Sequence, residues 1–325
     1  MLTPSNNSKT SFLSSDELAR WHELRAKYQA HVISLISNPM AAAFFDLSKV
    51  YPDTNEIAVL LDQIDDLKKC LDSFRPLNSA QVKNLQGAWD IEYTYDSNRI
   101  EGNTLTLQET SLVISEGITI GGKRLNEHLE AINHKEAIDY VRELASGQTE
   151  LSEYILNTIH ALVLRGIDRD NAGKYRSVPV TISGAKHVPP QPFLVKKLME
   201  NLFIFYEEKK AILHPVQLAA EMHERLVTIH PYIDGNGRTS RLVMNLVLLK
   251  HGYPIANISA DQRIGYYDAL EKAQVDHDPV DFHRLIAKTE KKSLMKYLEM
   301  VSGNLGEDAE GKGLYFFDRI NSFLR

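Results

Sequence analysis

The chain has 325 residues and a formal net charge of −6, so it has room for two domains and no overall positive charge that would attract nucleic acid. It contains no run of about 18 apolar residues and its first residues are polar, so we expect neither a membrane span nor a signal peptide. Its one cysteine, Cys70, excludes an intrachain disulfide and is typical of a reducing compartment, which makes the cytoplasm the expected location.

Helical patterns dominate the chain. After a polar stretch at residues 1–13, a capping box that begins at Ser14 predicts a helix to about residue 37. Apolar residues from Ile57 to Leu71 recur at helical spacing and predict a second helix, and a third is expected from about residue 79 to residue 99. A second capping box begins at Thr106. Later helices are predicted at about residues 125–146, 152–165, 192–209, 215–229, 238–251, 261–273 and 279–300, so we predict an all-α fold.

A short polar run, SNRIEGN from Ser97 to Asn103, ends the third predicted helix. Taken alone, Gly102 and Asn103 simply stop that helix, since both residue types tolerate the backbone conformation that ends one. On this interpretation Glu101 is an ordinary solvated carboxylate. A second interpretation depends on a motif that lies later in the chain.

The best strand candidate in the chain lies between Gly173 and His187. Val178, Val180 and Ile182 alternate with other residues, and the Ser-Gly pair that follows them is a turn signal. Because the intervening proline at position 179 cannot donate a ladder hydrogen bond, the strand is restricted to a hairpin or a sheet edge. We therefore expect a small β-hairpin at about residues 173–190.

The most informative segment runs from His230 to Arg241. Its predicted backbone is the end of one helix, a turn and the start of a second helix. The helix before it should end at His230, because Pro231 disfavours helical backbone in the preceding residue. Residues 234–237, Asp-Gly-Asn-Gly, form a turn that opens the apolar helix after it. A glycine-rich turn at the start of a helix presents free N–H groups and the positive end of the dipole, which favours a bound anion.

The side chains of this segment supply the remaining parts of a phosphate site. Arg238 and Arg241 are three residues apart and share a helix face. Two cations near the start of a helix oppose its dipole, and an anion bound between them would compensate this cost. The Asp234 carboxylate is of the kind that holds Mg²⁺ against phosphate oxygens. The unperturbed pKa of histidine lies near neutrality, so His230 is a candidate base for an attacking hydroxyl.

At these residues the chain resembles the Fic family, whose signature is H-P-F/Y-x-D/E-G-N-G-R-x-x-R. Tyr232 stands at the position usually held by phenylalanine, which changes no catalytic group. Fic proteins typically transfer AMP from ATP to a serine, threonine or tyrosine hydroxyl of a protein. The resemblance covers about residues 96–290 and implies a helical Fic fold with a small hairpin flap, with ATP as substrate and Mg²⁺ as cofactor.

The resemblance also implies a role for each residue of the segment. His230 would deprotonate the target hydroxyl, and Asp234 would hold Mg²⁺. Arg238 would contact the β-phosphate region and Arg241 the γ-phosphate. The residues that would cradle the phosphates are Gly235, Asn236 and Gly237.

The earlier run from Ser97 to Asn103 resembles the Fic inhibitory pattern S/T-x-x-x-E-G/N. In that pattern Glu101 pairs with Arg241 and occupies the γ-phosphate position, so that ATP binds in an unproductive pose. Because the pattern precedes the Fic signature, the chain resembles the subclass with an N-terminal inhibitory helix, which here spans about residues 79–103. Ser97 is the hydroxyl residue of the pattern.

The strand candidate resembles the Fic flap, a hairpin that pairs with the backbone of the target segment. Val178, Val180 and Ile182 would then align the target hydroxyl. His187 has two open interpretations, a contact with target or nucleotide and an ordinary surface histidine.

Three regions follow from these assignments. Residues 1–95 form an N-terminal helical region, residues 96–290 form the Fic domain with the flap at about 173–190, and residues 291–325 form a C-terminal helical tail. The implied partners are a target protein with a hydroxyl side chain, the chain itself included, and a second copy in a homodimer. We expect no nucleic acid and no membrane partner.

Several alternatives stay open at this point. The same glutamate positions a water in some relatives, so Glu101 could serve AMP removal, and another nucleotide donor such as UTP or CDP-choline could replace ATP. A non-enzymatic nucleotide-binding adaptor is disfavoured because it would need neither His230 nor Asp234. A metal phosphohydrolase would need a recognisable ligand set, so we expect the other histidines considered to be structural: His134, His160 and His223.

Overall fold

The computed structural model describes residues 46–77, 79–303 and 312–324, together with Asp16 and Ala19. Apart from these two residues, the helix predicted from Ser14 to about residue 37 lies outside the described residues. No helix in the described part combines the length and the apolar content that crossing a bilayer requires.

The described residues form α-helices and no strand, which confirms the predicted all-α class. In the described part of the chain, a 3₁₀ turn at Ala260–Gln262 precedes the tenth helix. The helices are α1 Leu47–Val50, α2 Ile57–Asp72, α3 Ser79–Ile100, α4 Leu107–Glu116, α5 Leu125–Ser146, α6 Glu153–Val163, α7 Pro192–Lys209, α8 Pro215–Ile229, α9 Asn236–Lys250, α10 Arg263–Val275, α11 Val280–Gly303 and α12 Leu314–Leu324.

The described residues fall into two compact units. The first is drawn from residues before 55, residues 62–82 and residues from 294 onward, and the second consists of residues 55–61 and 83–293. In the first unit, the ring of Phe74 packs against Phe316 and Phe317 with centroids 5.5 and 6.0 Å apart. The thiol of Cys70 is buried in the same unit.

The second unit contains every site residue predicted from the sequence, and α9 is its central helix. This helix packs against α5, α6 and α8. It is apolar almost all round from Leu242 to Leu248, and these residues are buried, as expected for a helix with no polar face.

Local capping signals set several helix ends. Thr106 Oγ1 accepts a hydrogen bond from Glu109 N at 3.2 Å while Glu109 Oε2 accepts one from Thr106 N at 2.8 Å, which confirms the predicted capping box. The end of α8 at Ile229, just before Pro231, is also as predicted. The start of α9 differs, because the helix begins at Asn236, two residues earlier than predicted. Gly235 provides the left-handed backbone (φ 76°) that lets the helix begin there.

The hairpin predicted at residues 173–190 is not confirmed, since the described backbone of this segment consists of turns and extended stretches without strand pairing. Two-stranded hairpins are marginal without further strands or a covering helix, and Pro179 removes a ladder donor. The carbonyls of Val178 and Pro190 instead accept hydrogen bonds from the Arg176 side chain, at 3.2 and 2.5 Å.

Candidate active site

His230 lies at the C-terminal end of α8 with left-handed backbone (φ 50°, ψ 59°). Its Nδ1 is 3.2 Å from the carbonyl of Val227, which can only accept, so Nδ1 carries the proton and Nε2 keeps a lone pair. Burial lowers the pKa of the imidazole, and the nearby cation of Arg176 lowers it further against an opposing effect of Glu101. The ring is therefore neutral at pH 7 and presents a basic nitrogen.

Arg241, on the second turn of α9, is 1% exposed and has its guanidinium held from several sides. Its Nε donates to Ser97 Oγ at 3.0 Å, and its Nη2 donates to the carbonyl of Ser97 at 2.9 Å. Its Nη1 lies 3.3 Å from the Tyr266 hydroxyl. All three acceptors are neutral, so they fix the side chain without cancelling its charge.

The counter-charge of Arg241 is Glu101, which follows the last residue of α3. Arg241 Nη2 and Glu101 Oε1 are 2.7 Å apart, and the glutamate side chain is 31% exposed. Burial lowers the pKa of the guanidinium, but the adjacent carboxylate outweighs burial and raises it overall. The structure thus brings together the two residues that the inhibitory pattern pairs, 140 positions apart in the chain.

The loop before α9 is closed by the side chain of Asn236. Its Oδ1 accepts from Tyr232 N, and its Nδ2 donates to the Tyr232 carbonyl, both at 2.9 Å. This side chain is buried and therefore shapes the loop, which leaves the backbone amide of Asn236 as its group for a ligand. Like the amides of Gly237 and Arg238, it belongs to the first turn of α9, where N–H groups have no helical acceptor.

Arg238 is 2% exposed and lies between two carboxylates. Its Nη2 donates to Asp234 Oδ2 at 3.2 Å, and its Nη1 is 3.2 Å from Glu130 Oε1 without hydrogen-bond geometry. In the described part of the chain, its Nε has no hydrogen-bond partner. A buried guanidinium with unused donors suits an additional anionic ligand.

Asp234 is the candidate metal ligand and has a side chain that is 61% exposed. No group of three or more histidine, cysteine, aspartate or glutamate side chains forms a metal cage among the described residues. Mg²⁺ needs no such cage, because it is often held by one or two carboxylates together with water and substrate phosphates. One exposed carboxylate beside an arginine of the anion site fits an ion of this kind.

His160, on α6, holds the loop in place, a role that no sequence pattern indicated. Its Nδ1 accepts from Gly173 N at 2.9 Å, so its Nε2 carries the proton and donates to the carbonyl of Asp234, also at 2.9 Å. The ring stacks on Tyr232 with centroids 3.5 Å apart. Burial lowers the pKa of His160 to about 4. This histidine is structural, as expected, but it supports the site directly.

The segment at 173–190 is anchored beside α8. His187 donates from Nε2 to the carbonyl of Thr228 at 2.9 Å, so its ring fixes the segment. The side chain of Val178 is exposed, whereas those of Val180 and Ile182 are half-buried. Arg176, which the sequence did not single out, donates from Nε to the carbonyl of His230 at 2.7 Å.

Comparison with known proteins adds the family. Residues 150–248 match the Fic/DOC family. The chain is 32% identical to the Protein adenylyltransferase Fic of Nematostella vectensis, over 87% of this chain and 66% of that protein. It is 36% identical to the Protein adenylyltransferase Fic of Drosophila grimshawi, over 73% of this chain and 49% of that protein. The chain therefore spans about half to two thirds of the length of the curated relatives it matches.

A solved structure shares the architecture. The crystal structure of a Fic domain containing signaling protein from Bacteroides thetaiotaomicron superimposes with a TM-score of 0.69 at 29% identity. The match covers 75% of this chain and 100% of that chain. With the family match, the similar relatives and the shared fold taken together, the chain belongs to the Fic family.

Proposed function

We propose that this chain is a protein adenylyltransferase, which transfers AMP from ATP to a hydroxyl side chain of a target protein. One observation carries the proposal: a neutral histidine that ends α8 and is affected by the charge of Glu101 is followed by an exposed carboxylate and two buried arginines at the start of α9. The names of the similar relatives support the same activity. The target is a protein with a serine, threonine or tyrosine hydroxyl, and the chain itself can serve as one.

The chemical step needs a base and an anion site. Nε2 of His230 accepts the proton of the target hydroxyl, whose oxygen then forms a bond to the α-phosphorus of ATP. The bond between that phosphorus and the bridging oxygen of the β-phosphate breaks, and pyrophosphate leaves with the electron pair. Most of the rate enhancement comes from positioning and from stabilisation of the charge that develops on the phosphates.

The phosphates bind at the start of α9. The first amides of the helix and the guanidinium of Arg238 bind the phosphate chain, and Arg241 binds its far end. Asp234 would hold Mg²⁺, and the ion would neutralise phosphate charge. Asn236 contributes its backbone amide, since its side chain bonds to Tyr232.

The proposal includes a brake formed by Glu101. While this carboxylate pairs with Arg241 at 2.7 Å, a terminal phosphate brought to the same guanidinium meets a like charge. Two like charges about 4 Å apart near a protein surface repel by about 4 kcal/mol, enough to move the phosphate chain to another pose. Withdrawal of Glu101 leaves Arg241 fixed by Ser97 and Tyr266 and open to the phosphate.

A second candidate function uses the same pocket in the opposite direction. The Glu101 side chain is 31% exposed, so a water molecule can reach it and attack the AMP group of a modified target. The same residue is then the brake on transfer and the base for hydrolysis.

We further propose that the enzyme works in the cytoplasm, because its one cysteine is a buried free thiol and no disulfide contributes to the fold.

The deciding experiment follows label from ATP into protein with Mg²⁺ present. Three proteins are compared, namely the wild type, Glu101→Gly and Glu101→Gly/His230→Ala, each with ATP labelled at the α- or the γ-phosphate. Adenylyl transfer predicts that only Glu101→Gly labels protein, and only from the α-position. Label from the γ-position would overturn the proposal in favour of phosphoryl transfer.

The hydrolytic alternative is tested with the labelled product. Wild-type protein is added to purified, labelled Glu101→Gly, and released AMP is measured with Glu101→Gln as the matched control. Release by the wild type alone would assign hydrolysis to Glu101, whereas stable label with every variant would exclude it.

A further inference from the structure

Arg176 is a buried arginine whose hydrogen bonds all go to backbone carbonyls. It is 3% exposed, and its Nε, Nη1 and Nη2 donate to the carbonyls of His230, Val178 and Pro190 at 2.7, 3.2 and 2.5 Å. No carboxylate in the described part of the chain pairs with it, and burial lowers the pKa of its guanidinium. Burial of an unpaired cation costs free energy, so stability alone does not account for an arginine at this position.

The first of these contacts acts on the backbone of the catalytic base. Left-handed backbone in a residue other than glycine costs about 1–2 kcal/mol and persists only where surrounding contacts enforce it. The carbonyl of His230 accepts from Arg176 Nε, and the next carbonyl, that of Pro231, accepts from the Arg176 backbone N–H at 2.9 Å. Arg176 thus holds two successive peptide groups at the bend that aims the imidazole.

The other two contacts act on the segment beside the base. Val178 and Pro190 both belong to residues 173–190, and a single guanidinium binds their carbonyls together with the carbonyl of His230. Only a planar group with five donors can bind three acceptors in this way, so lysine cannot replace it.

We propose that Arg176 is a positioning residue that couples His230 to the 173–190 segment, so that the base and the surface presenting the target hydroxyl keep a fixed mutual geometry. This inference rests on the proposed transferase function and deepens it by naming a residue that acts through the base.

The same cation has an electrostatic effect on the base. The groups that affect the pKa of His230 are Arg176 and His187, which lower it, and Glu101 and the Val227 carbonyl, which raise it, in addition to burial. An unpaired cation beside the ring disfavours the imidazolium form. It therefore keeps the base neutral before the reaction and favours loss of the proton afterwards.

The test measures transfer in the Glu101→Gly background with two further changes at position 176. Arg176→Lys keeps the charge and loses the three-carbonyl geometry, while Arg176→Gln also loses the charge. Arg169→Gln removes an exposed arginine from the preceding turn and is the matched control. We expect both changes at 176 to lower kcat by about 100-fold, because misplacement of a reacting group by about 1 Å has that effect, and to leave the Kd for ATP unchanged.

The pH profile separates positioning from a general structural defect. In Arg176→Gln the acidic limb of kcat/KM should shift to higher pH, since that limb reports the base of the free enzyme, whereas Arg176→Lys should keep the limb of the parent. An unchanged kcat in Arg176→Lys, or an unchanged acidic limb in Arg176→Gln, would overturn the inference.

A measurement without turnover keeps this result independent of the proposed function. The imidazole resonance of His230, assigned by its loss in His230→Ala, is titrated by NMR in the wild type and in Arg176→Gln. An upward shift of its pKa in Arg176→Gln supports the inference even if no variant transfers AMP, in which case the proposed function alone fails. No shift would overturn the electrostatic part of the inference directly.

Discussion

The Glu101 carboxylate lies against Gly237 so closely that any Cβ at position 237 would overlap its Oε1. Such a Cβ would also lie 3.1 Å from Nη1 of Arg241. A protein carboxylate thus occupies the place at the start of α9 where a helix favours a bound anion. The missing side chain of Gly237 makes the room for it.

Gly237→Ala should therefore act oppositely on stability in two backgrounds. In the wild type, overlap with Glu101 should lower the free energy of unfolding by about 1–3 kcal/mol. In Glu101→Gly the overlap disappears. Alanine favours a helix over glycine by up to about 1 kcal/mol, and only the contact with Arg241 opposes this gain, so the free energy of unfolding should rise. Urea unfolding of the four proteins measures the difference, and equal effects in both backgrounds would show that the two residues do not interact.

Glu101→Gly should lower the melting temperature and increase the stabilisation by ATP. Removal of the Glu101 carboxylate leaves the buried cation of Arg241 without its counter-charge. The loss of unfolding free energy should stay below the value of about 3–5 kcal/mol that is typical of fully buried pairs, because Glu101 is 31% exposed. Phosphate then replaces the lost carboxylate, so saturating ATP with Mg²⁺ should raise the melting temperature more in Glu101→Gly than in the wild type. Equal shifts of the melting temperature in the two proteins would show that Glu101 does not affect nucleotide binding.

Glu130 should weaken ATP binding in the wild type. Its Oε2 accepts from Asn103 Nδ2 at 2.8 Å, while its Oε1 lies 3.2 Å from Arg238 Nη1, so it links the residues after Glu101 to the anion site. Glu130→Gln keeps an acceptor for Asn103 and removes the charge that competes with phosphate. We expect about fivefold tighter ATP binding, equivalent to about 1 kcal/mol, by calorimetry.

The control for this prediction is Glu136→Gln. This glutamate lies on α5 as well and pairs with Arg165 at the surface, so its change removes the same charge away from the phosphate site. Tighter binding in both variants would indicate a general effect of net charge, and unchanged binding in Glu130→Gln would contradict a competition for Arg238.

His160 should make the protein less stable as the pH falls. Its folded pKa of about 4 lies below the ordinary value of 6.5, so the folded state binds fewer protons than the unfolded state. The stability associated with the neutral ring is fully present above about pH 6.5 and is lost progressively towards pH 4. His160→Gln should flatten the dependence of the unfolding free energy on pH in this window, with His251→Gln as the exposed control. Parallel curves for wild type and His160→Gln would rule out this contribution.

Two substitutions of His160 separate its two hydrogen bonds. The amide nitrogen of glutamine can replace Nε2 and keep the bond to the Asp234 carbonyl, whereas the amide oxygen of asparagine can replace Nδ1 and keep the bond to Gly173 N. If the first bond orients Asp234, His160→Asn should need more Mg²⁺ for half-maximal transfer than His160→Gln. The magnesium dependence in the Glu101→Gly background decides this, and identical dependences would exclude an effect on the metal ligand.

The parts of the site that could be predicted are those encoded by neighbouring residues. The end of α8 just before Pro231 follows from that proline, and the candidate anion site follows from residues 234–241, because turn chemistry and helix geometry act over a few positions. The pair of Glu101 and Arg241 was predicted across 140 positions only through its resemblance to a known pattern. The distance between these two side chains and their burial could be obtained only from the structure.

The supporting residues could not be predicted, because their partners are backbone groups far along the chain. Arg176 reaches a carbonyl 54 positions away, and His160 reaches one 74 positions away. Carbonyl acceptors are the same in every residue and leave no trace in a sequence. The predicted hairpin depends on alternation, a turn signal and the resemblance to the Fic flap. None of these signals shows that Arg176 takes two carbonyls of that segment as acceptors.

The hydrogen bonds that Arg241 donates to the neutral side chains of Ser97 and Tyr266 have a genetic consequence. On the proposed function, Arg241 is fixed in place without Glu101, so the active form would require only the loss of one carboxylate and no added group. Many different substitutions at codon 101 should therefore give the same dominant, constitutively active protein, while inactivating changes should be scattered across α6, α8 and α9.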